Sequence, residues 1–216
     1  MGGKVPQRIN ESEQYVKKIL ALLGVISVLA LSGCGKVDNA ATIGDISISQ
    51  ASMQSTIDQV LAERTKVDTA GMQVQTGNAL NRAQLRFMIV TTLFDEIAKE
   101  LKLTVTSTEI EKAKSELVAQ SGGQEALARN LVGAEIASSN FDRYVRAIIT
   151  SNKIQDALVA TGVAQEDVSM RISQLVNAKA AELKVEVNPR YGTWDKDTGD
   201  IVATDSAGSA VVPSGN

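Results

Sequence analysis

The chain has 216 residues, 22 of them Lys or Arg and 25 Asp or Glu, for a net charge of −3. It contains no histidine and a single cysteine, Cys34. This excludes histidine-dependent nucleophile systems, a His/Cys zinc site and an intramolecular disulfide, and the acidic balance argues against nucleic acid, whose phosphates need a basic face. The carboxylates, Lys, Tyr and Ser that remain fall into no catalytic spacing, so neither enzyme activity nor a cofactor is expected.

Lys17 and Lys18 precede an apolar run from Ile19 to Leu31, broken by Gly24 and Ser27. As a helix this run reaches roughly 20 Å at about 1.5 Å per residue, short of a bilayer core of about 30 Å. It ends in Leu31-Ser32-Gly33, a small-residue cleavage site directly before Cys34. A charged start, a short apolar region and such a site in that order define a secretory leader. The arrangement resembles a bacterial lipoprotein signal peptide with a lipobox. The resemblance implies acylation of Cys34, which would leave the protein lipid-anchored at the cell membrane on its extracytoplasmic face. The segment before Lys17 is long for a leader and carries Glu11 and Glu13, so a start downstream of Met1 stays open.

The expected organisation is a signal peptide over 1–33, a tether over 34–41, a helical domain over 42–202 and a small-residue, disordered tail over 203–216. Thr42 to Ile48 alternates loosely around Gly44-Asp45, which predicts a bent strand or tight hairpin. Ser49 is a suitable N-cap for a helix from Gln50 to about Val67, with Met53, Ile57, Val60 and Leu61 at helical spacing. Asp68 to Ala79 is expected to be a loop. Asn81 and Gln84 form a capping-box-like pair before a broad apolar stripe: Leu85, Met88, Ile89, Leu93, Phe94, Ile97 and Leu101.

Thr106 and Glu109 predict a second capping box, opening a helix that Gly122-Gly123 ends. A short helix over Gln124 to Leu131 comes next. A long one from Ser138 or Ser139 to about Leu158 follows, and a last one runs from Gln165 to Leu183. Val185 and Val187 then alternate as a strand, Asn188-Pro189 turns, and Ile201-Val202 is a final short strand. Asp195 to Asp200 departs from an EF-hand loop at its fifth and sixth positions and lacks the distal Glu, so a polar turn is expected.

The lipobox, the Ile43-Gly44-Asp45-Ile46-Ser47 segment leading into a helix, the helical series, and Val187-Asn188-Pro189-Arg190-Tyr191-Gly192 up to Asp195 together resemble the N-terminal chaperone domain of SurA and PrsA-type extracytoplasmic foldases. The similarity spans roughly residues 40–195. It implies a mainly α fold, with a small β-sheet of two or three strands joining the N- and C-terminal ends, so that 43–48 and 185–187 become neighbours. Relatives that isomerise prolyl bonds carry a parvulin domain before the Asn-Pro-Arg-Tyr-Gly tail. Here the helix ending near Leu183 runs straight into that tail, which implies a relative without the catalytic module. The implied partners are unfolded or exported polypeptides, with no nucleic acid. The alternative is a structural or adaptor lipoprotein that binds one cell-envelope partner.

Two aromatics, Tyr191 and Trp194, fall at the expected joint. They either plug the sheet against the helices or form part of a client-contact surface. Met72, in a loop, is a third candidate contact, since flexible thioethers adapt to varied apolar surfaces. Met53, Phe87, Met88 and Met170 are further candidates that fit equally well as ordinary core or surface residues.

Overall fold

A computed structural model describes residues 38–204. The expected leader, Cys34 and the last twelve residues lie outside the described residues. Asn39 to Thr204 form one compact unit, mainly helical, with two small antiparallel sheets. Six α-helices are described: α1 (Gln50–Arg64), α2 (Gly77–Glu100), α3 (Ser107–Ser121), α4 (Gln124–Gly133), α5 (Phe141–Ala160) and α6 (Val168–Glu182). The strands are β1 (Asn39–Ile43), β2 (Ile46–Ser49), β3 (Glu186–Val187), β4 (Thr193–Asp195) and β5 (Asp200–Val202).

The first sheet has the order β2-β1-β3, so the two ends of the domain share a central strand. β1 and β2 form a hairpin with Ile43 opposite Ile46. Its two-residue loop places Gly44 at a φ of 57°, the first loop position, where glycine has no Cβ to clash. The Gly44 N–H also donates to the Leu183 carbonyl at 2.6 Å, holding the hairpin to the end of α6. On the other edge Ala41 pairs with Val187 and Thr42 with Glu186. Asn188 continues this tie: its N–H donates to Ala40 O at 2.9 Å and its amide to Asn39 O at 3.1 Å. The expected adjacency of 43–48 and 185–187 is therefore met through β1. Asn39 to Ala41, assigned above to the tether, belong to this strand, because Ala40 and Ala41 are buried in the core.

β4 and β5 form a second, separate two-stranded sheet, beyond the single small sheet expected. Its approach to the preceding turn requires glycine. A Cβ on Gly192 would stand 2.2 Å from the Val202 carbonyl oxygen, and its φ is 127°. The intervening turn is polar: the Asp195 carboxylate accepts from the Asp197 and Thr198 N–H groups. These bonds, with that to Asp197 foremost, hold it below the ordinary carboxylate range.

Most helix ends follow local chemistry. The Ser49 hydroxyl accepts from the Ser52 N–H at 3.0 Å and caps α1. Thr106 and Glu109 close a complete capping box on α3, and Gly122, at a φ of 89°, terminates it. The exception is α2. It starts at Gly77, a turn before Asn81, and the expected Asn81–Gln84 capping pair does not form. Gln84 is 2% exposed and donates instead to the Glu135 carbonyl at 2.8 Å. A tertiary acceptor takes the side chain that the sequence assigned to a cap.

The core lies between the first sheet and α1, α2 and α6, around Ile43, Met53, Leu85, Ile89, Leu93, Ile97 and Ala180. A smaller apolar cluster, Leu127, Leu131 and Ile136, joins α4 to the start of α5, with Phe141 and Tyr144 against it. A polar knot links the two. Glu135, buried and at a left-handed φ of 60°, forms an ion pair with Arg64 at 2.9 Å. It also accepts from the Gln75 N–H. Arg64 donates to the Gln75 carbonyl at 2.8 Å. Beside it Glu63 accepts from the Ser138 N–H and hydroxyl, and Gln59 accepts from the Ser139 hydroxyl. One face of α1 thus holds the whole connector between α4 and α5.

Removing one member of a largely buried ion pair leaves the other charge uncompensated. Glu135→Ala should therefore cost about 3–5 kcal/mol of stability in urea unfolding. The Arg64→Met/Glu135→Met double variant should cost clearly less than the two single changes summed, because it strands no charge.

Candidate functional site: the cleft between the second and fifth helices

Helices α2 and α5 run in the same direction. Arg143 reaches the Thr91 hydroxyl at 3.5 Å, and ten residues on Lys153 donates to the Thr104 carbonyl at 2.7 Å. The apolar stripe of α2 is broader than one neighbour can cover. Leu85, Met88, Ile89, Leu93 and Ile97 are buried, whereas Phe87, Val90 and Phe94, on the adjoining side, remain half-buried. From α5, Tyr144, Ala147 and Ile148 are also half-buried. Between these two rows runs an open cleft of about 620 Å³.

The floor of this cleft is aromatic and aliphatic: Phe87, Val90, Phe94, Tyr144 and Ile148. Its rim is polar. Arg82 and Arg86 stand along α2, Glu135 closes one end, and Asp200 with Ile201 of β5 form part of the wall. Arg86 is tied down by the Gly199 carbonyl at 3.1 Å and the Asp200 carboxylate at 3.3 Å. Arg82 makes no hydrogen bond or ion pair among the described residues. An apolar floor with a few charged rim groups suits a ligand that buries hydrophobic side chains and keeps its polar parts near water. It offers no cluster of three potential metal ligands among the described residues.

The three sequence-predicted contact residues lie elsewhere, and none of them lines the cleft. Tyr191 is 8% exposed in the main core, with the Arg190 guanidinium 5.2 Å from its ring centre. Trp194 is half-buried against the same core, and its indole N–H is buried without a partner. Met72 is half-buried beside Gly133, with its sulfur 3.8 Å from where a Cβ on that glycine would lie. Of the wider candidates, Met53 and Met88 are core residues, Met170 is exposed on α6, and Phe87 alone reaches the cleft. Val90, Phe94, Tyr144 and Ile148 also line the cleft, and the sequence does not single them out, because each has the spacing of a core stripe. The available signal was the excess width of the α2 stripe.

Charges set the far end of α2. Burial holds the Asp95 carboxyl above its ordinary range, opposed by Arg143, Arg146 and Lys99. On the outer side of α5, Lys153 pairs with Glu109 at 2.6 Å. That bond, with the Thr106 N–H and hydroxyl, pulls the Glu109 carboxyl from 4.5 down to about 2. At the base of the domain Lys179 is pinched between Glu100 and Glu182, and both carboxylates, Glu100 first, hold its ammonium above the ordinary range.

The fold is thus a helical domain closed by a small sheet, with a largely apolar cleft open to solvent. The sequence profile of the SurA-like N-terminal domain matches residues 7–155, more than half of the chain. The protein belongs to this family of SurA-type N-terminal domain proteins, which is chaperone-type. The match ends at residue 155, within α5, so α6, β3 and the second sheet lie beyond it. No curated protein and no solved structure matches the chain.

The Glu109 carboxyl is ionised more readily folded than unfolded, so its contribution is complete above about pH 4.5 and disappears as pH falls toward about 2. Wild type should therefore be more stable than Glu109→Gln at neutral pH. The gap in melting temperature should close across that acid window, as read by circular dichroism at a series of pH values.

Proposed function

We propose that this protein is a membrane-anchored extracytoplasmic chaperone that binds unfolded or exported polypeptides in the α2–α5 cleft, without catalysis and without a cofactor. The observation that carries this reading is the cleft, an accessible apolar surface in a domain of a chaperone-type family. Phe87, Phe94 and Tyr144 supply large contact area with few rotatable bonds. The client would bury apolar side chains against them while its backbone stays near the polar rim. Ordering an unfolded segment opposes binding, so affinity is modest and release needs no energy source.

The anchoring part of the reading rests on sequence: Lys17 and Lys18, the run from Ile19 to Leu31, and Leu31-Ser32-Gly33 before Cys34. Among the described residues no helix is long and apolar enough to cross a membrane. A single acyl chain gives only marginal membrane binding, and two or more make it stable. Cys34→Ser should therefore move the protein from the membrane fraction to the soluble fraction and abolish labelling by radioactive palmitate. Labelling that persists in this variant would overturn the anchor assignment.

The holding activity is tested by light scattering, on diluting a chemically unfolded exported protein into the full chain. The parent should suppress aggregation. Ala83→Trp should weaken that suppression at least roughly twofold, because it fills the cleft while leaving the core cluster untouched. Its melting temperature should stay near that of the parent. Tyr191→Ala and Trp194→Ala should act through lost stability alone. Suppression that survives Ala83→Trp would remove the cleft from the mechanism. No suppression by the well-folded parent would sink the chaperone reading and favour an adaptor with a single folded partner.

A further inference from the structure

Where α2 ends, a second hollow of about 330 Å³ opens, separate from the cleft in all its lining residues. Its wall is formed by Asp95 and Lys99 of α2, Leu103 and Val105 of the connector to α3, and Arg146 and Thr150 of α5. Arg146 makes no hydrogen bond or direct ion pair among the described residues, and neither does Asp95. Opposite charges on so small a wall would normally pair or be matched by a third group. Thr150 is 1% exposed, and its hydroxyl has no partner.

The Lys99 ammonium is already held by the Glu96 carboxylate at 2.5 Å. The wall therefore offers two donors without a partner, Arg146 and the Thr150 hydroxyl, and one acceptor, Asp95. A free phosphate is largely doubly charged at neutral pH, more than one guanidinium offsets beside the Asp95 carboxylate. A simple amine would satisfy Asp95 and leave the guanidinium unmatched. A chain terminus supplies both kinds of group a few ångströms apart. We propose that this hollow binds the carboxy-terminal residue of a polypeptide, with the α-carboxylate on Arg146 and the amide N–H of the same residue on Asp95. Leu103 and Val105 then leave apolar room for a small side chain. Guanidinium is suited to the carboxylate because its fork matches both oxygens at once. A free N-acyl amino acid carries the same groups, so the two sources have to be separated by experiment. The proposal does not depend on what the cleft holds.

The full chain, solubilised in mild detergent, is titrated calorimetrically with N-acetyl-trialanine, the same peptide as its C-terminal amide, and N-acetylalanine. The free-acid tripeptide should bind at least about tenfold more tightly than the amide and than N-acetylalanine. Arg146→Gln should lose at least about tenfold in affinity for the acid, with Arg146→Lys recovering part of it. Thr150→Val, which keeps shape and removes the hydroxyl, should weaken binding about threefold without lowering the melting temperature. Equal affinity for acid and amide, binding undiminished in Arg146→Gln, or no binding of any probe would overturn the proposal. N-acetylalanine binding as tightly as the tripeptide would also overturn it, by assigning the hollow to small acylated amino acids.

Discussion

The arrangement of this domain depends on one buried carboxylate. Glu135 sits at the junction of α4 and α5, in a left-handed backbone conformation that ordinary residues avoid. Its side chain binds Arg64 at the end of α1 and the backbone of Gln75 in the following loop, while its carbonyl receives Gln84 of α2. Three separate segments are thereby fixed to one residue. A buried ion pair is weak evidence for stability in itself, since desolvation offsets much of the attraction. Its value here is positional: few other places along α1 can satisfy both the charge and the two hydrogen bonds, so the direction in which α5 leaves is set.

That direction creates the cleft. Met88, Leu93 and Ile97 of α2 are covered, and α5 runs alongside rather than across them, leaving Phe87, Val90 and Phe94 only half-covered. Packing α5 over these rings would bury more apolar surface and would be favourable by that measure alone. The Arg64–Glu135 pair ties the connector before α5 to α1, and Arg143 of α5 reaches Thr91 of α2 at 3.5 Å. Half-covered apolar surface thus remains beside these polar ties in an otherwise well-packed domain.

Much of the helical layout was legible in the sequence because it is written in local chemistry. Ser49, Thr106 with Glu109, and Gly122 act within a turn of their own position, and the structure uses each as expected. Gly44-Asp45 likewise turns the chain within two residues. Gln84 shows where local reading fails. Its spacing from Asn81 fits a cap, yet it is buried and bonded to a carbonyl 51 residues away. Glu135 is the harder case, since a glutamate in a connector ordinarily points to water, and only its neighbours in space reveal otherwise. The cleft was missed for the same reason: Phe94, Tyr144 and Ile148 have the spacing of core residues, and sequence periodicity does not tell a covered stripe from an open one.

The sequence by itself determined the helices and several of their caps, the hairpin at Gly44-Asp45 and the lack, within these residues, of histidine chemistry and of an intramolecular disulfide. These depend on residue type and on contacts within a few positions. Tertiary structure alone decided that β1 takes β3 as its second neighbour, through bonds such as Asn188 to Asn39 across 149 positions. It also decided that Arg64 meets Glu135 across 71 positions and that one edge of α2 stays open. Such long-range choices turn on which surfaces meet first and which buried polar groups find partners. A one-dimensional pattern carries the demand for a partner but not its address.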